Sequence, residues 1–69
     1  MVEVDVRGLS CPLPVVKTKK AMDENPGQPI AVLTDSETSK GNVTRLAESR
    51  GYKVEVERVG DYYRLTLTP

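Results

Sequence analysis

Val2-Glu3-Val4-Asp5-Val6-Arg7-Gly8-Leu9-Ser10-Cys11-Pro12-Leu13-Pro14 is the stretch whose reading decides the fold. Val2, Val4 and Val6 alternate with Glu3, Asp5 and Arg7, which is the period of a strand with one buried face, and Gly8 ends it. After the turn Gly8-Leu9-Ser10, Pro12 and Pro14 fall where a helix accepts proline, because first-turn N–H groups have no intrahelical partner. A strand leading at once into a helix points to a helical layer laid on a sheet.

Outward from this segment, the helix is expected to run to about Glu24, where Asn25-Pro26-Gly27 stops it. Val15, Thr18 and Met22 share its apolar stripe with Val16 beside them, and Lys17, Lys19 and Lys20 make the remainder basic. Ile30 to Thr34 is a short continuous apolar run, expected as a central strand. Asp35 to Ser39 reads as a loop feeding a helix cap, with a second helix over about Lys40 to Arg50 carrying Val43, Leu46 and Ala47 and stopped by Gly51. Val54 and Val56 alternate with glutamates, Tyr63, Leu65 and Leu67 alternate with Arg64, Thr66 and Thr68, and Gly60-Asp61 between them suits a tight hairpin. The expected architecture is α+β: a two-layer sandwich of order β-α-β-α-β-β, two helices on one face of a four-stranded mixed sheet, with residues 1–69 forming one domain.

Composition narrows the chemistry. A chain of 69 residues buries on folding only about 60% of the surface its unfolded form exposes, so a large internal substrate cavity is not expected. Ten basic and ten acidic residues cancel, which removes any global attraction for nucleic acid or anionic membrane. No basic leader precedes a long apolar run, and the chain reads as cytoplasmic. One cysteine and no histidine exclude an intrachain zinc site of the Cys/His kind, a Cys-x-x-Cys pair and an imidazole base.

A lone cysteine is commonly a small buried hydrophobe, but the setting of Cys11 favours a working thiol. Pro12 at the first helical position makes Cys11 the expected N-cap, since a residue before proline is pushed to extended backbone. Its sulfur then sits beside the positive helix end, with the Leu13 amide as the near donor because Pro12 and Pro14 have none. Helix-end electrostatics of about 0.3 to 1 kcal/mol, and about 2 in a sheltered geometry, lower a thiol pKa by around one unit. Such modest activation suits a carrier served by a partner enzyme better than a self-sufficient catalyst.

The run from Val4 to Pro14, with Cys-Pro-x-Pro after a strand and a Gly-Leu turn, resembles the signature of the TusA/SirA/YedF family of sulfur carriers. The likeness extends over the whole chain, and the C-terminal half, through Gly51-Tyr52 and Asp61-Tyr62-Tyr63, looks most like the YedF branch associated with selenium metabolism. The resemblance implies the sandwich described above and a persulfide on Cys11 as a covalent intermediate, with no separate cofactor and no metal. It implies a cysteine desulfurase or other sulfurtransferase as donor and a protein acceptor, with Gly8, Leu9, Pro12, Leu13 and Pro14 supporting the site. The tRNA-thiolation branch carries Asp-Pro-x-Thr-x-Arg-Asp after its second strand. Here Asp35 of Asp35-Ser36-Glu37-Thr38-Ser39-Lys40-Gly41-Asn42 is kept, whereas the proline and the Arg-Asp pair are absent.

Arg7, Lys17 and Asp35 are further candidates for contact with a partner or an anion, against the plain reading of a solvated helix face and a helix cap. Lys17 lies within two turns of Cys11; Lys19 is on another side. Asp5 is read as fixing the strand-to-helix turn, Tyr63 as core and Tyr62 as a surface cross-strand residue. The rival functions are a non-catalytic interaction or regulatory module, selenium delivery by the same cysteine, and RNA binding, which the zero net charge disfavours.

Overall fold

The structure, a computed structural model, describes residues 2–10 and 12–69. Its elements are β1 (Val2–Asp5), α1 (Leu13–Glu24), β2 (Ile30–Thr34), α2 (Glu37–Ser49), β3 (Lys53–Val59) and β4 (Tyr62–Thr68). The sheet order is β1-β2-β4-β3, with β1 parallel to β2 and β4 antiparallel to both β2 and β3. This is the expected α+β sandwich with a four-stranded mixed sheet.

Side-chain parity explains the layers. Val4, Val32, Leu65 and Val56 are cross-strand partners in one row, and Val2, Ile30, Leu67 and Val54 in the next. Ile30, Val32, Leu65 and Leu67 are fully buried against Ala21 and Met22 of α1 and Val43 and Ala47 of α2, so these rows face the helices. The opposite face carries Glu3, Asp5, Arg64, Thr66, Glu55 and Glu57 and meets solvent. Ala31 and Leu33 are nevertheless buried there, because β2 is flanked on both sides and an Arg64–Glu3 ion pair of 3.8 Å reaches across it. Burial of β2 on both faces is why its sequence reads as a continuous apolar run.

β4, not β3, lies beside β2. Leu65 and Leu67 are fully buried, while β3 is mostly exposed and its Val56 keeps 49% of its surface; placing β4 inside buries the more apolar strand of the hairpin. Gly60, at φ +60°, supplies the turn.

α2 begins at Glu37, three residues before the expected start. Ser36 is its N-cap, extended at φ −121° and ψ 131°, and its hydroxyl accepts from the Ser39 N–H at 3.3 Å. Glu37 in the first turn suits the positive helix end. The far end closes as the sequence suggests: Gly51 N–H donates to Glu48 and Tyr52 N–H to Ala47, the paired bonds of a glycine-terminated helix, with Tyr52 packed against the core. An Asp23–Arg50 pair of 2.7 Å ties the C-terminal ends of the two helices together. In α1 the buried residues are Pro14, Thr18, Ala21 and Met22, and Val16, expected beside the stripe, is 54% exposed.

Candidate functional site

Parallel β1 and β2 each run straight toward a helix, so both helix N-termini lie at one end of the sheet. Residues 6–10 and 12, between β1 and α1, sit at that end and are held by backbone hydrogen bonds. Val6 N–H donates to Leu33 at 2.8 Å, Leu9 N–H to Val6 at 3.3 Å and Leu13 N–H to Ser10 at 2.9 Å. Gly8 adopts φ +77°, a conformation that L side chains rarely take.

Two aspartates pin this loop from outside. Asp5 Oδ1 accepts the Arg7 N–H and Arg7 Nε, both at 3.0 Å, and Asp5 Oδ2 accepts Arg7 Nη2 at 2.9 Å. The guanidinium hydrogen bond, followed by the backbone one, holds the Asp5 carboxyl down at about 2. Asp5 thus fixes the strand-to-helix turn as expected. Asp35, just past β2, accepts the Gly8 N–H on both carboxylate oxygens at 3.2 Å. Ser36, not Asp35, caps α2.

The candidate partner contacts are therefore placed differently from one another. Arg7 is engaged by Asp5, and its Cζ lies 4.7 Å from the Tyr62 ring centroid. Arg7, Gly8 and Asp35 line an open concavity with Asp5, Asp61 and Tyr62 on the solvent face of the sheet. Lys17 instead lines a groove beside β1. The sequence did not reveal Tyr62 and Asp61 as neighbours of this loop, because that requires knowing that β4 sits next to β2.

The helix start departs from expectation by one residue. Pro12 is the cap position, at φ −97° and ψ 12°, and its carbonyl accepts from Val16 at 3.1 Å; Leu13 is the first helical residue and Pro14 the second. The Leu13 amide, expected as the donor to the sulfur, is directed to the Ser10 carbonyl. Pro12 and Pro14 carry no amide hydrogen and that of Leu13 is directed to Ser10, so none of these three residues offers a free donor. The two prolines differ in role, Pro14 being fully buried and Pro12 exposed. Leu13 and Val16 add an exposed apolar surface next to the loop. The expectations for Cys11 itself, as helix cap and as persulfide site, lie outside the described residues.

A second cluster stands at the same end of the sheet. Tyr63 hydroxyl donates to Glu37 Oε1, Lys40 Nζ lies 3.3 Å from Glu37 Oε2, and the same ammonium is 4.6 Å from the Tyr63 ring centroid. The Tyr63 and then the Lys40 hydrogen bonds lower the Glu37 pKa, and the Glu37 bond raises that of Tyr63. This network anchors the start of α2 to β4. Among the described residues no group of three or more His, Cys, Asp or Glu is arranged to hold a metal ion, and no helix is long and apolar enough to cross a membrane.

This fold is a small two-layer α+β sandwich with both helix N-termini at one end of a four-stranded mixed sheet. The family model described as "Sulfurtransferase TusA" matches residues 2–68, and the chain belongs to that family. It is 46% identical over 69 residues to a candidate sulfur carrier protein of Methanocaldococcus jannaschii, covering 97% of this chain and 92% of that one. A candidate sulfur carrier protein of Thermotoga maritima is 39% identical over 59 residues, covering 83% and 75%. The crystal structure of a SirA-like protein from Desulfitobacterium hafniense superposes with a TM-score of 0.90 at 34% identity, covering 99% of this chain and 96% of that one.

Proposed function

We propose that the protein is a sulfur carrier that holds a persulfide on Cys11 and relays it from a cysteine desulfurase or other sulfurtransferase to a protein acceptor. The observation that carries this reading is the position of the single cysteine: it falls within a loop whose neighbours on either side are fixed by the Asp35, Asp5 and Ser10 hydrogen bonds. The names of the M. jannaschii and T. maritima relatives support sulfur as the cargo.

In the loading step the Cys11 thiolate attacks the outer sulfur of the donor's persulfide. The donor's S–S bond breaks, its own thiolate leaves with the electron pair, and a new S–S bond forms at Cys11. The transfer is redox-neutral and needs no metal or cofactor. Delivery repeats the exchange with an acceptor thiolate. With no histidine in the chain, the partner enzymes supply acid–base chemistry, and this chain contributes the thiol and its place in the sequence.

The relay is tested by loading the protein from radiolabelled cysteine with a desulfurase, desalting, and adding dithiothreitol. Release of the label as sulfide is expected. Label that stays bound under reduction contradicts a persulfide.

A further inference from the structure

We propose that the outer edge of β1, with the groove between β1 and α1, receives an extended segment of a partner protein by strand addition, and that the side chains this segment turns toward α1 are acidic. β1 is an edge strand. Val2 N–H donates to Pro29 and Val6 N–H to Leu33, so in the parallel ladder Val2, Val4 and Val6 turn their backbone groups to β2. The backbone N–H and C=O of Glu3 and Asp5 therefore face the open side, a template for another strand.

The groove beside this edge has Val2, Val4 and Ala21 as its apolar part, with Lys17, Lys20 and Glu24 from α1 and Glu3 from β1. Neither lysine forms an ion pair or hydrogen bond among the described residues, whereas Arg7, Arg50 and Arg64 each have a carboxylate partner. On the solvent face of the same strand the charges are already answered, Glu3 by Arg64 and Asp5 by Arg7. The unpaired charges lining the groove are Lys17 and Lys20 and, one turn beyond them on α1, Glu24, so the stretch beside Val2 and Val4 that an added strand would meet first is positive on the helix side. An added strand alternates, and its charge complement is acidic toward Lys17 and Lys20 and neutral beside Glu3 and Asp5.

The same alternation argues for a different chain over a second copy. A copy that continues the sheet with its helices on the same side would offer β1 or β3, whose helix-side residues are Val2 and Val4 or Val54 and Val56, with no acidic side chain to meet Lys17 and Lys20. The surface is separate from the cysteine loop, and the proposal holds whatever chemistry Cys11 performs.

The test uses the full chain, isotopically labelled, titrated with an acetylated and amidated peptide of alternating threonine and glutamate; the control peptide has lysine for glutamate. The expected result is chemical-shift change along Val2–Asp5 and Lys17–Ala21 with slowed amide exchange at Glu3 and Asp5. The Lys17→Glu/Lys20→Glu variant, altered only at exposed positions, should bind about tenfold more weakly. Equal binding of the lysine peptide overturns the proposal, as do unchanged exchange at Glu3 and Asp5 or changes that follow protein concentration without peptide, the last assigning the edge to self-association.

Discussion

The carboxylate of Asp35 accepts the backbone N–H of Gly8 on both oxygens at 3.2 Å, joining the end of β2 to the cysteine loop across 27 positions of sequence. With Asp5 gripping Arg7 from the other side, the residues leading into Cys11 are held by two carboxylates. The first consequence is separable by substitution. Asp35→Ala should speed amide exchange at Gly8 and alter the alkylation rate of Cys11, while Asp35→Asn, which keeps one acceptor oxygen, should restore both at least in part. The stability cost of Asp35→Ala is expected to be about 1 kcal/mol, the scale of one hydrogen bond. Equal behaviour of the two variants would show that the Gly8 bond does not position the loop.

Gly8 offers a cleaner measurement of backbone conformation. A Cβ added there meets nothing within 4 Å, yet φ is +77°. Gly8→Ala should therefore destabilise through conformation alone, by about 1–2 kcal/mol, and Gly8→Asn by less, because asparagine tolerates this region better. Urea denaturation of both variants tests the order.

Acid sensitivity follows from Asp5. Its folded pKa is depressed by the Arg7 hydrogen bonds to about 2, against 3.8 for an ordinary aspartate. The stability it contributes is present above the unfolded value and is lost as pH falls from about 4 toward 2. Asp23, held by Arg50, and Glu37, held by Tyr63 and Lys40, act in the same direction. Urea midpoints of Arg7→Gln and the parent should differ at pH near neutrality and converge near the folded pKa of Asp5. A difference that persists unchanged through this window would contradict the assignment.

Core position decides the cost of truncation. Leu65 is fully buried between the helices and the sheet, whereas Val56, its register partner on β3, is about half exposed. Leu65→Ala should cost about 2–5 kcal/mol and Val56→Ala within about 0.5 kcal/mol, measured by thermal or urea unfolding. For a domain of this size the first is a large share of the total stability.

The same contrast between local and distant information sets how much was legible in the sequence. β2 read cleanly because burial on both faces leaves an uninterrupted Ile-Ala-Val-Leu-Thr run, and α1 ended where Asn25-Pro26-Gly27 required. The start of α2 was misplaced because Ser36, Thr38 and Ser39 favour loops and caps equally, and only the Ser36–Ser39 bond identifies which hydroxyl is the cap. Pro12 was displaced by one residue because the turn from Ser10 to Leu13 precedes the helix. At the site, the Asp5 turn was readable from two-residue spacing. The Asp35–Gly8 and Arg7–Tyr62 contacts were not, since each depends on which strands lie side by side.

The central claim, that Cys11 accepts sulfur, is tested most directly by intact mass spectrometry of the protein after incubation with a cysteine desulfurase and cysteine, beside Cys11→Ser. The expected result is a gain of one sulfur atom by the parent, reversed by reduction, and none by Cys11→Ser. No gain with several desulfurases, or an equal gain on Cys11→Ser, would contradict it.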